Sequence, residues 1–155
     1  MSRTQEEQIR ALATFAVRLA AFGGRRLRER LPELLEPDES VLALVCATRG
    51  GRWWKELQAA NFLIVAATDR RLLLAPYGVF TASSLLERAA QPAVESVPYT
   101  DVQSVEKQQG RLESKLTLST TSGTVRLTSM RASWASAVAA IVEEQLSRRF
   151  GAEIS

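Results

Sequence analysis

Histidine is missing altogether from this 155-residue chain. With it go the commonest general base near neutral pH and the commonest metal ligand. Cysteine occurs once, as Cys46. A single thiol cannot close an internal disulfide, and with no histidine beside it no zinc set can be assembled. A lone cysteine fits a reducing compartment, so a cytoplasmic protein is expected. Cys46 sits in an apolar run and reads as a small buried hydrophobe, with a reactive thiol as the alternative. Long apolar runs are absent too, and none approaches the roughly 20 residues of a membrane span. The stretch from Ala11 to Val17 is preceded by Glu6 and Glu7 and ended by Arg18, which sets it apart from a secretory signal. No Gly-x-Ser-x-Gly, phosphate loop or dinucleotide fingerprint occurs. The expectation is a non-catalytic protein with no cofactor, no metal and no small-molecule substrate.

What is present is ordinary globular material, 46% apolar and 24% charged, enough for one compact domain with an attached arm. The net charge of +3 is unevenly spread. Residues 1–30 carry seven arginines against three glutamates, whereas residues 31–155 carry 13 basic against 14 acidic side chains. The basic character belongs to the N-terminal arm. A near-neutral body argues against nucleic acid, which demands a broad basic surface.

Thr4 with Glu7, and Ser2 with Gln5, form overlapping capping boxes, so a helix is expected to start here. Ile9, Leu12, Ala16, Leu19 and Ala20 follow at helical spacing, and Arg3, Arg10, Arg18, Arg25 and Arg28 fall on the opposite face. Gly23-Gly24 bends or ends this helix, and a second piece runs from Arg25 to about Leu31. The arginine face could meet an anionic membrane. The alanine-rich apolar face suits docking on the body or pairing with a second copy. Pro32 and Pro37 mark a linker or turn, which divides the chain into an arm (1–34), a body (35–150) and a tail (151–155).

In the body the texture becomes short strands. Val41–Ala47 and Phe62–Ala67 are apolar runs, and Leu72–Ala75 resumes after Thr68-Asp69-Arg70-Arg71, as in a hairpin with a polar turn. Residues 81–93 are irregular or briefly helical around Leu85 and Leu86. Val97, Tyr99, Val102 and Val105 form a strand kinked near Asp101. Leu116 and Leu118, then Val125 and Leu127, alternate with polar neighbours about Thr121-Ser122-Gly123-Thr124. Ser133 is a candidate N-cap for a last helix with the stripe Trp134, Val138, Ile141, Val142 and Leu146, ending near Gly151. That stripe is expected to close a barrel against Val65, Leu73, Leu116 and Leu127.

Leu35-Glu36-Pro37-Asp38-Glu39 before an apolar strand, then Leu63 to Leu74 around Thr68-Asp69-Arg70-Arg71, then Ser96 to Val105, resemble in order and spacing the bacterial pleckstrin-homology-like domains. The resemblance spans about residues 35–150. It implies a mainly β, α+β fold: a bent antiparallel barrel of about seven strands capped by a C-terminal helix, here with an extra N-terminal amphipathic helix. It also implies a binding scaffold for lipid, peptide or protein. The branch that binds phosphoinositides clusters Lys and Arg in the first hairpin. Here the positions are Arg49, Arg52 and Lys55, interrupted by Trp53 and Trp54, and they depart from that pattern.

Arg49, Arg52, Trp53, Trp54 and Lys55 make the most unusual local cluster. Adjacent residues of a strand face opposite ways, so if this segment is a strand both tryptophans cannot be core: one is open to a protein partner, a membrane interface or a stacked base, or packs against the N-terminal helix. Arg70 and Arg71 either cradle an anion or pair with neighbouring carboxylates while Thr68 and Asp69 cap the turn. The expected role is an interaction or assembly module with a protein partner or a second copy of itself. The alternative is a peripheral domain on anionic membrane.

Overall fold

The computed structural model describes residues 29–50, 62–82, 84–91 and 93–154. The arginines of the arm (Arg3, Arg10, Arg18, Arg25 and Arg28) and Arg52, Trp53, Trp54 and Lys55 lie outside the described residues.

Seven antiparallel strands form one sheet in the order β4-β3-β2-β1-β7-β6-β5. Its first half is β1 (Val41–Arg49), β2 (Phe62–Thr68), β3 (Arg71–Pro76) and β4 (Glu95–Pro98). Val45 lies opposite Val65, Val65 opposite Leu74, and Leu74 opposite Glu95. The apolar runs of β1 to β3 are continuous because both faces of this half are covered. Ala43, Val45, Ala47, Leu63, Val65, Ala67, Leu72 and Leu74 face the interior of the barrel. Leu44, Ile64, Ala66, Leu73 and Ala75 face outward into a second apolar cluster with Leu31 and Phe80. Leu73, expected against the last helix, therefore points the other way. Strand alternation gives Leu72 and Leu74 to the interior.

The outer cover is made by a helical segment at residues 29–34 and by helix α1 (Gly78–Thr81). The helix passes through Pro32, expected in a linker or turn, since the fixed φ of proline is compatible with helical backbone. Leu31 is wholly buried. The Arg30 guanidinium donates to the carbonyls of Val79 (2.8 Å) and Ala82 (2.9 Å), which fixes this segment on the sheet. Helix α2 (Leu85–Ala89) follows, capped by the Ser84 hydroxyl accepting from the Glu87 amide, and buries none of its residues.

The second half, β5 (Val102–Gln109), β6 (Ser114–Thr120) and β7 (Gly123–Met130), is buried on one face only. In β6, Leu116 and Leu118 are fully buried while Lys115 is exposed. The β6–β7 turn places Thr120 opposite Gly123, and Gly123 has φ +136°, open to glycine and strained for other residues. Near its end β7 spends four residues, Leu127 to Met130, against three on β6, Ser114 to Leu116, with Ser129 at φ 58°. This is a bulge that bends the strand. Among the described residues β1 and β7 pair in register at Thr48 with Thr128 and at Arg49 with Leu127.

The chain passes from β4 to β5 through a 3-10 turn, Tyr99–Asp101. The Tyr99 ring is buried and its hydroxyl donates to the Thr68 carbonyl at 2.7 Å. Helix α3 (Ala132–Ile154) then closes the barrel with Ala135, Val138, Ala139, Val142 and Leu146. Each of the larger three is stabilising by about 1.5–3 kcal/mol. Trp134 and Ile141 are only partly buried at the rim of this contact. The stripe is thus turned toward the alanines, which let the helix axis approach closely. The Arg131 guanidinium lies 5.1 Å from the Trp134 ring centroid. The helix begins at Ala132, one residue before the expected cap Ser133, and continues through Gly151. Arg149 anchors it by donating to the carbonyls of Tyr99 (3.1 Å), Thr100 (2.9 Å) and Val102 (3.0 Å).

Candidate functional site

Two polar constellations organise the surface. The first is built on the β2–β3 turn. The Thr68 hydroxyl accepts from the amides of Arg70 (3.1 Å) and Arg71 (3.0 Å) and donates to Glu39 Oε2 at 2.7 Å. Glu39 is fully buried and receives Arg71 in a forked pair, Nε to Oε2 at 3.0 Å and Nη2 to Oε1 at 2.9 Å. Arg71 also reaches the Leu34 carbonyl (3.0 Å) and the Ser96 hydroxyl (3.2 Å). Burial raises the Glu39 carboxyl, but Arg71, the Thr68 hydroxyl and the Glu36 amide outweigh it and hold the group below the usual carboxylate range. Arg70 pairs with Glu36 and with Asp38, the latter at 2.7 Å. Its hydrogen bond to Asp38 holds that carboxyl low as well. Asp69 caps nothing in its own turn: its carboxylate accepts from the Ser40 amide at 3.0 Å, tying the turn to the start of β1. This geometry joins Arg70 and Arg71 to Leu35-Glu36-Pro37-Asp38-Glu39 as a clasp, and both guanidiniums are matched to carboxylates.

The second constellation is a pocket of about 280 Å³ at the seam between β4 and the β6–β7 hairpin. Arg49, Glu95, Ser96, Val97, Asp101 and Thr120 line it, with the hairpin residues Ser122 to Val125. Arg49 is the last residue of β1, so the pocket sits at the root of the β1–β2 connection that carries Arg52, Trp53, Trp54 and Lys55. Arg49 is ion-paired with Glu95. The lining thus holds one guanidinium and two carboxylates, Glu95 and Asp101, among hydroxyls and two valines. Such a wall is hostile to a phosphate and suited to hydrogen-bonding groups beside a small apolar one. Gly50 begins the connection with its amide donating to the Arg126 carbonyl at 2.8 Å. Phe62, where β2 begins, is half exposed.

Of the site residues expected from sequence, Arg49 lines the pocket, and Arg70 and Arg71 form the clasp. Sequence reasoning missed Glu95, Asp101 and the β6–β7 hairpin as pocket wall, and Glu39 as the partner of Arg71. The Pro37-Asp38-Glu39 run was legible as a motif, but its pairing runs across 32 residues of sequence. Cys46 is pushed up to about 12 by burial, so its thiol stays protonated. Among the described residues no three His, Cys, Asp or Glu side chains converge as a metal set, and no helix is long and apolar enough to cross a membrane.

A family described as "Bacterial PH domain" matches residues 35–144. No curated protein matches. Solved structures similar to this chain include the C-terminal domain of an unknown protein from Leishmania infantum, at 16% identity and TM-score 0.46, covering 77% of this chain and 94% of that one. Another is the Vps36 N-terminal PH domain, at 16% identity and TM-score 0.48, covering 73% of this chain and 86% of that one.

Proposed function

This chain belongs to the bacterial PH domain family, and on that footing we propose that it is a non-catalytic interaction module that captures a protein partner at the β4–hairpin seam. The β1–β2 connection rooted there supplies the rest of the surface. Domains of this family commonly mediate protein or lipid interactions.

The observation that carries the reading is charge. Every described cation of the candidate set is matched to a carboxylate: Arg49 to Glu95, Arg70 to Glu36 and Asp38, Arg71 to Glu39. An anionic headgroup at the seam would have to displace Glu95 and face Asp101. A peptide segment would instead use the hydroxyls of Ser96, Thr120 and Thr124 and place a small apolar side chain on Val97 and Val125. Trp53 and Trp54 serve as aromatic anchors, the residue type that dominates protein hot spots.

The test compares wild-type protein with Trp53→Ala, Trp54→Ala and an Arg49→Ala/Arg52→Ala/Lys55→Ala variant. The expected result is a protein complex recovered from the native cell extract by affinity purification, lost in a tryptophan variant and little changed by added salt. Vesicles containing anionic lipid should not pull the protein down. Sedimentation with anionic vesicles that vanishes in the triple variant and at raised salt would replace this reading with a peripheral membrane role.

A further inference from the structure

Leu85 and Leu86 are 84% and 82% exposed, side by side on helix α2, which contributes no buried residue. Isolated exposed leucines are common, but two adjacent ones on an element with no packed face of its own mark a surface that is covered by something. We infer that Leu85 and Leu86 are the docking site for the N-terminal arm of the same chain, residues 1–28, which lie outside the described residues.

Position is the first argument. The arm joins the described body at Glu29, next to Arg30. Arg30 is fixed to the carbonyls of Val79 and Ala82, three residues before Leu85. One turn further, Glu33 pairs with Arg88 of α2 at 2.7 Å. The arm is therefore tethered within a turn of the leucine pair. Gly23-Gly24, five residues before Glu29, supplies the break that a return path over α2 requires. Complementarity is the second. The predicted apolar stripe of the arm, Ile9, Leu12, Ala16, Leu19 and Ala20, has small residues between larger ones, a surface into which projecting leucines fit. This inference stands independently of the seam reading, since it concerns the opposite, outer face of the β1–β4 half.

Hydrogen–deuterium exchange on the full chain tests it, at a concentration where sedimentation shows a monomer. Amides of residues 8–20 should exchange on the order of tenfold or more slowly than in an isolated peptide of residues 1–28. Leu85→Glu/Leu86→Glu should abolish that slowing while the amides of β2 and β3 stay protected, which also shows that the variant is folded. An arm that exchanges like the free peptide in wild-type protein overturns the inference. So does protection that survives the double substitution. Protection that grows with protein concentration would assign the surface to a second copy, and protection that needs anionic vesicles would assign it to a membrane. Either result also overturns it.

Discussion

Glu39 is the buried centre of the clasp. A fully buried carboxylate is tolerable only when its charge is matched and its oxygens are filled. Here Arg71, the Thr68 hydroxyl and the Glu36 amide do both. Glu39→Ala leaves Arg71 without its partner in a mostly enclosed site and should cost about 3–5 kcal/mol, measured by urea unfolding. Glu39→Gln, which keeps the shape and loses the charge, should cost less. The carboxyl lies below its ordinary value of 4.5 in the folded protein. Above that pH it is ionised in both states, and its stabilising contribution is complete. As pH falls below about 4.5 the unfolded chain takes up the proton first. Stability then drops until the folded group protonates too. The acid limb of a stability–pH profile should therefore be shallower in Glu39→Gln than in wild type. Identical limbs would show that other carboxylates govern it. The Thr-Asp-Arg-Arg turn was legible from sequence with both roles open, anion cradle or carboxylate partner. Its geometry is that of a clasp, because the deciding partners come from a segment some 30 residues earlier.

Helix α3 shows what sequence periodicity locates and what it leaves open. The stripe of Val138, Val142 and Leu146 is visible at helical spacing and packs as expected. The large residues Trp134 and Ile141 dominate the same pattern by bulk, yet the helix rolls until Ala135 and Ala139 face the barrel. Hydrophobicity alone ranks tryptophan above alanine. Close approach of helix and sheet reverses the order, because dispersion contacts depend on the distance between surfaces. Three substitutions separate these ideas. Leu146→Ala should cost about 2–5 kcal/mol as a core truncation. Ala139→Leu should cost about 1–3 kcal/mol by overpacking the contact. Trp134→Ala should cost less than Leu146→Ala, since its ring sits at the rim beside Arg131. If Trp134→Ala proves the most damaging of the three in thermal unfolding, the rolled orientation of the helix is wrong.

At the scale of the molecule, the burial of each strand follows from features the sequence displays: apolar runs for the doubly covered β1–β3 and alternation for the one-sided β6 and β7. What the sequence does not display is how the two halves meet, because that depends on contacts between residues far apart in the chain. They meet at β1 and β7, where Thr48 pairs with Thr128 and Arg49 with Leu127, and Gly50 extends the junction with its amide on the Arg126 carbonyl. A Cβ added at Gly50 would lie 2.9 Å from the Arg126 Cβ, 3.1 Å from the Thr128 methyl and 3.3 Å from the Arg126 carbonyl oxygen. The nearest of these atoms belongs to the stem of its side chain and cannot swing aside, so the strands themselves must part. Gly50 makes the close approach that holds β1 to β7 where the connection to Trp53 and Trp54 departs. Gly50→Ala should therefore lower stability by about 1–3 kcal/mol and weaken partner capture by re-aiming that connection. Alanine at the exposed position Ser122, in the β6–β7 turn across the pocket, should leave stability nearly unchanged. A shift in the urea midpoint for Gly50→Ala, with an unchanged slope and reduced complex recovery, is the expected outcome. A Gly50→Ala protein as stable as wild type would mean that the junction of the two halves does not rest on this contact.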